Sequence, residues 1–129
     1  MLAAAKGARE AGGEVVGVTC SAFGRSRANE YVTEEITTDS LEQRLSKLVE
    51  LGDGYVVLAG GTGTLLELAH VWELKNKGFL DRGKPIIIVG RFWKPLMELI
   101  AGADSECLSC IEIAEDANGV VGILSGLRR

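Results

Sequence analysis

The chain predicts an α/β fold, a parallel sheet with helices on both faces. Two observations carry that expectation. Strand-like and helix-like runs alternate along most of the sequence, the pattern of repeated βαβ units. One strand-like run, Ile86-Ile87-Ile88-Val89, is apolar at every position, as a strand buried on both faces of a parallel sheet is. A third feature locates the chemistry. The stretch Gly60-Gly61-Thr62-Gly63-Thr64-Leu65-Leu66-Glu67 follows the apolar residues 55–59 and leads into an amphipathic run over residues 65–75, so it reads as strand, glycine turn, helix. In open parallel sheets ligands bind beyond the carboxyl ends of the strands, and this turn lies at one such end.

The other elements follow in order. Residues 2–11 predict a helix closed by Gly12-Gly13, because glycine ends helices without a Cβ penalty. Residues 14–18, Glu-Val-Val-Gly-Val, are β-branched and predict a strand. Residues 19–39 are polar and hold Gly24, Asn29 and several threonines, so they read as a long loop of the kind that often carries function. Ser40 and Gln43 resemble a capping box, and the helix they open carries Leu41, Leu45, Leu48 and Val49 on one stripe before ending near Gly52. A second strand is expected over residues 54–58. The helix after the glycine turn is expected from Thr64 to about Asn76, stopping near Gly78. Lys84-Pro85 opens the apolar strand at 86–89. Residues 91–100 predict a short helix with Pro95 in its first turn, residues 111–114 a weaker strand, and residues 116–127 a last helix weakened by Gly119, Gly122 and Gly126. There is no internal repeat and no low-complexity linker, so one domain spanning residues 1–129 is expected.

Bulk properties narrow the class. A chain of 129 residues supports one moderate core, and 47% hydrophobic content excludes a disordered polypeptide. The net charge of −4 and pI of about 5.0 argue against a general nucleic-acid surface, although one local site can be positive on an acidic protein. No apolar run reaches the roughly 20 residues that span a membrane. Residues 1–11 lack the apolar core of a signal peptide, so the expected compartment is the cytoplasm. Cys20, Cys107 and Cys110 are too few, and odd in number, for a secreted disulfide framework. Cys107-Leu108-Ser109-Cys110 precedes a strand rather than opening a helix after one, and a zinc site would have only Cys20 and His70 to complete it. The thiols therefore read as incidental, and no metal is expected.

Glycines let a backbone approach a ligand closely, and a helix start offers N–H groups and partial positive charge, so the turn reads as an anion site, most often for phosphate. It is not a P-loop, because Gly63 is followed by Thr64 rather than lysine. It departs from the dinucleotide fingerprint, which needs a small residue where Leu66 stands, and the next strand ends in Gly90-Arg91 rather than in an acid. Arg91 would nonetheless suit an adenosine 2′-phosphate. Plainer readings stand beside these. The glycines also serve a tight strand-to-helix turn, Glu67 is an acid favoured early in a helix, and Arg44 is a solvated helix residue. His70 shares the face of Glu67. Trp72, Phe92 and Trp93 read as core or interface, and Arg25 and Arg27 as solvated loop charges.

Gly60, Gly61, Gly63, Thr64 and Glu67 spell Gly-Gly-x-Gly-Thr-x-x-Glu, which resembles the signature of the Lonely Guy (LOG) family, once described as possible lysine decarboxylases. The resemblance extends to residues 11–18, to the Leu41-Glu42-Gln43-Arg44 segment, to the strand after Lys84-Pro85 and to the helix after Arg91. Ala59 stands where the family usually has proline, and Leu45 where it often has lysine. The resemblance implies a Rossmann-like parallel sheet shortened at the N-terminus, since Met1 falls where the family's first β-α-β segment has ended. The gap would then be closed within the sheet or filled by another chain. It further implies a phosphoribohydrolase that cleaves the N-glycosidic bond of AMP or a cytokinin-type nucleoside 5′-monophosphate. Arg44 and Glu67 would be catalytic, and Gly60, Gly61, Thr62, Gly63 and Thr64 would hold the phosphate. The implied partners are a small-molecule nucleotide or phosphate and a second copy in a homodimer, with no nucleic acid, no membrane and no cofactor. Two other readings are a non-catalytic module binding a nucleotide or the molybdenum cofactor, and an incomplete domain acting through a partner chain.

Overall fold

A computed structural model describes residues 1–23 and 28–127. The chain divides into two compact units, residues 1–51 and 52–129. In the first, helix α1 (Leu2–Glu10) is followed by strand β1 (Val16–Cys20), a 3-10 turn (Ser21–Phe23), strand β2 (Glu34–Thr38) and helix α2 (Leu41–Leu51). Gly12 has φ +83, a left-handed turn open to glycine, and the N–H of Gly13 closes α1 on the carbonyl of Ala8 at 2.8 Å. Strands β1 and β2 run parallel, with Val18 opposite Ile36 and Cys20 opposite Thr38. The buried Thr38 hydroxyl donates to the carbonyl of Thr19 at 2.7 Å. Helix α2 packs on β1, burying Leu45 with Val18 and Cys20.

The second unit holds β3 (Tyr55–Val57), α3 (Thr62–Asn76), β4 (Ile86–Val89), α4 (Lys94–Ala101), a 3-10 turn (Cys107–Cys110), β5 (Ile111–Ala114) and α5 (Ala117–Ser125). Its sheet has the order β3-β4-β5, with both pairs parallel: Val57 lies opposite Ile88, which lies opposite Ile113. Ile86, Ile87 and Ile88 are at most 1% exposed. Side chains alternate along a strand, so both faces of β4 are covered. Ile87 packs with Ala114, Val120, Ile123 and Leu124, which places α5 over its face. Asp116 caps α5 by accepting from the N–H of Gly119 at 3.0 Å. Trp72 of α3 donates its indole N–H to the carbonyl of Cys107 at 2.9 Å. Lys75, 7% exposed, donates Nζ to the carbonyl of Lys84 at 2.8 Å, tying the end of α3 to the entry of β4.

The alternating α/β reading holds, with parallel strands and α-helices in Rossmann-like arrangement. Three expectations are corrected. The stretch 19–39 is not one loop, since residues 34–38 form β2. Only its Ile36 is apolar, and an edge strand with exposed Glu34, Glu35 and Thr37 gives no hydrophobic alternation to read. The first strand runs over Val16–Cys20 rather than 14–18, because the residues it buries are Val18, Thr19 and Cys20. Helix α3 starts at Thr62 rather than Thr64, with Gly63 already in its first turn. Arg25 and Arg27 lie outside the described residues. No helix among those described is long and apolar enough to cross a membrane.

Because Ile87 is sealed in the core, Ile87→Ala should lower unfolding free energy by about 2–5 kcal/mol, read as a reduced urea midpoint. A loss under about 0.5 kcal/mol would contradict the packing described for β4.

Candidate functional site

The glycine turn leaves the carboxyl end of β3 and enters α3. Gly61 is the helix N-cap, with φ −96 and ψ −151, and no side chain caps it. The first helical bond runs from the N–H of Leu65 to the carbonyl of Gly61 at 3.0 Å. The N–H groups of Thr62, Gly63 and Thr64 therefore precede the helical ladder, the arrangement that receives an anion.

The glycines differ in what demands them. A Cβ on Gly60 would sit 2.8 Å from the Cβ of Thr64, so Thr64 occupies the space a larger residue would need. A Cβ on Gly61 or Gly63 would meet nothing within 4 Å, and neither has positive φ. Packing against the Thr64 side chain thus explains Gly60, while Gly61 and Gly63 face open space. Gly63 even weakens the helix it begins, by about 0.5–1 kcal/mol relative to alanine. Glu67 is half-buried and lies four residues after Gly63, on the same helix face. His70, also half-buried, follows one turn later.

Helix α4 steadies this edge of the sheet. Trp93, at its N-cap, donates its indole N–H to the carbonyl of Leu58 at 3.0 Å, joining the segment after β4 to the segment after β3. Phe92 stacks on Trp93 with ring centroids 4.9 Å apart and stays 50% exposed, whereas Trp72 and Trp93 are buried, as the core reading expects. Two depressions mark the second unit. One, of about 240 Å³, is mostly apolar and runs along α3 and α4 past Leu68, Trp72, Leu96 and Ile100. The other, of about 390 Å³, opens at the carboxyl ends of β4 and β5 and is lined by Gly90, Arg91, Lys94, Met97, Ile113 and Glu115. The sequence reading reached Arg91 but not Lys94 or the indole bond.

In the first unit, Arg44 projects from α2 and donates Nε to the carbonyl of Val18 at 3.0 Å. The capping pair sets the start of that helix: Ser40 Oγ accepts from the N–H of Gln43 at 3.1 Å, and Gln43 Oε1 accepts from the N–H of Asp39 at 2.9 Å. The reciprocal bond goes one residue upstream of the usual box. Cys20, Cys107 and Cys110 are free and buried. Among the described residues no cluster of three or more His, Cys, Asp or Glu could hold a metal ion. Burial pushes the Cys107 thiol above its ordinary 9.0, and Asp104 and Cys110 add to the shift. A proton held more tightly in the folded state suits a structural thiol, not a nucleophile.

A strand, glycine turn and helix on a parallel sheet define an α/β protein of the Rossmann-like class. Residues 1–123 match the family described as "Possible lysine decarboxylase", and the chain belongs to that family, the LOG family whose signature it carries. The cytokinin riboside 5′-monophosphate phosphoribohydrolase of Rhodococcoides fascians is 31% identical over 104 residues, covering 79% of this chain and 52% of that protein. The protein of the same name from Mycobacterium tuberculosis is 38% identical over 90 residues, 69% of this chain and 47% of that one. The chain thus spans about half the length of these relatives. The solved molybdenum cofactor binding protein of Rippkaea orientalis superposes with a TM-score of 0.69 at 25% identity, over 96% of this chain and 68% of that one.

Two outcomes follow. Gly63→Ala should raise unfolding free energy by about 0.5–1 kcal/mol while Gly60→Ala lowers it, both read from urea titrations; equal effects would remove the distinction drawn between them. The raised Cys107 thiol leaves stability constant below pH 9.0 and lowers it as pH climbs past that value, because the unfolded chain releases the proton first. Cys107→Ala should flatten that alkaline decline, and an unchanged slope would assign it elsewhere.

Proposed function

We propose that the chain is a nucleoside 5′-monophosphate phosphoribohydrolase, acting on AMP or a cytokinin-type nucleotide. The supporting observation is the pair of glycines with open space beside them, Gly61 and Gly63, followed by Glu67 on the same helix face. The N–H groups from Thr62 to Thr64, with the glycines admitting close approach, hold the 5′-phosphate. Cleavage lengthens the bond from ribose C1′ to the base nitrogen, and positive charge builds on the ribose. The Glu67 carboxylate stabilises that charge and orients the attacking water. Oxygen from water bonds to C1′, the bonding pair leaves with the base, and a water proton ends on the base. The products are the free base and ribose 5-phosphate. Arg44 is proposed as catalytic on the family resemblance alone, since it stands at the family's catalytic position. The proposed assembly is a homodimer, which the exposed Leu65, Leu66, Leu99 and Ile100 of α3 and α4 support. The proposed compartment is the cytoplasm.

A second reading has its own support. The likeness to a molybdenum cofactor binding protein over 96% of the chain favours a binding module without turnover.

Incubation with AMP and with cytokinin monophosphates, followed by chromatography of released base, separates the two. Release should occur and should fall at least a hundredfold in Glu67→Ala. Folded protein that binds AMP without releasing base would favour the binding module, and full activity in Glu67→Ala would remove Glu67 from the mechanism.

A further inference from the structure

The proposed phosphate turn uses only the end of β3. The neighbouring strand ends in a second opening, the depression of about 390 Å³ at the carboxyl ends of β4 and β5. Two cations, Arg91 and Lys94, line it against one carboxylate, Glu115. Arg91 is exposed and pairs with no carboxylate among the described residues, while Lys94 holds only a loose contact to Glu98 at 3.8 Å, with both side chains largely in water. Such a pair contributes little and is readily exchanged for a better anion. Gly90 turns the chain at φ +77, and a Cβ there would meet nothing within 4 Å, so the backbone is open on that side as well. Met97 and Ile113 supply an apolar wall.

The two openings belong to one edge. β3 and β4 are adjacent and parallel, and the Trp93 indole bond to Leu58 holds their exits together. Adjacent strands lie about 4.8 Å apart, so the turn after β3 and the depression over β4 and β5 are separated by roughly one to two strand spacings. Pyrophosphate links its phosphorus atoms through a single oxygen and is short for that span. A ribose sets its substituents several bonds apart.

We propose that the depression is a second phosphate subsite, and that the βαβ unit from β3 to β4 takes a nucleotide with two phosphate groups on opposite sides of its ribose. The 5′-phosphate sits in the glycine turn and the second phosphate between Arg91 and Lys94. The arginine fork and the lysine point charge then act on one dianion. This rests on the phosphate role given to the turn.

Calorimetry of the full chain with AMP, ADP and adenosine 2′,5′-bisphosphate tests it, with Arg91→Ala, Lys94→Ala and the double variant alongside. Both residues are exposed, so the variants should fold, and circular dichroism checks that. The 2′,5′-bisphosphate should bind about tenfold or more tighter than AMP, and ADP close to AMP. The double variant should lose that preference while its AMP affinity stays unchanged. A chain that binds AMP but shows no preference across the series overturns the second subsite and leaves the turn standing. So does a preference that survives the double variant, or a gain for ADP equal to that for the 2′,5′-bisphosphate. A chain that binds none of the three overturns both readings.

Discussion

The constraint on which the second unit depends is the burial of β4 on both faces. Three consecutive isoleucines with essentially no exposed surface require a cover above and below, and parallel neighbours on each side. Parallel neighbours require crossover helices, and the crossovers return every strand in the same direction. The carboxyl ends of β3, β4 and β5 are thereby gathered on one edge. The glycine turn, the Trp93 anchor and the depression beside Arg91 all lie on that edge as a consequence. The core does not supply chemistry, but it decides where chemistry can be placed.

On that edge the glycine residues divide into two kinds. Gly60 is required by its neighbour, because Thr64 fills the volume where a side chain would go. Gly61 and Gly63 have no positive φ and empty space beside them; Gly61 suits the helix N-cap it occupies, while packing gives no reason for Gly63. A residue that costs helix stability without serving the fold is the kind of local inconsistency that marks a functional position. The same contrast sets Cys107 apart from a reactive thiol. Its surroundings make ionisation harder, and the side chains of Cys107 and Cys110 are both sealed in the core, so the pair reads as packing.

Most of the second unit was legible in the sequence because its signals are strong and local. An all-apolar run at 86–89 and glycines at both ends of α3 each point to one structure. The first unit was less so. β2 carries Glu34, Glu35, Thr37 and Thr38 around one isoleucine, and its pairing with β1 is what makes it a strand. β1 runs two residues further than expected because Thr19 and Cys20 pair with Thr37 and Thr38 of β2, a long-range fact no local pattern holds. Within the candidate site, Gly60 through Glu67 were named by the motif directly. The Arg44 position followed from family resemblance, and its tie to the Val18 carbonyl did not, since it spans 26 residues. Lys94 was invisible because one lysine at a helix start has no signature without the cavity beside it.

The acidic balance of the chain does not oppose an anion at this edge. A net charge of −4 is spread over the whole surface, and salt screens such charges beyond about 10 Å at ordinary ionic strength. Inside that range the local groups decide. The turn offers backbone N–H dipoles fixed by α3, whose effect falls off within a helical turn and requires close approach. Gly61 and Gly63 permit that approach. Arg91 and Lys94 offer full charges on flexible stems in water, which act at longer range and are weakened by salt. One edge of the sheet therefore combines backbone N–H groups fixed at a helix start with charged side chains on flexible stems, and the tie between Trp93 and Leu58 links the two strand exits.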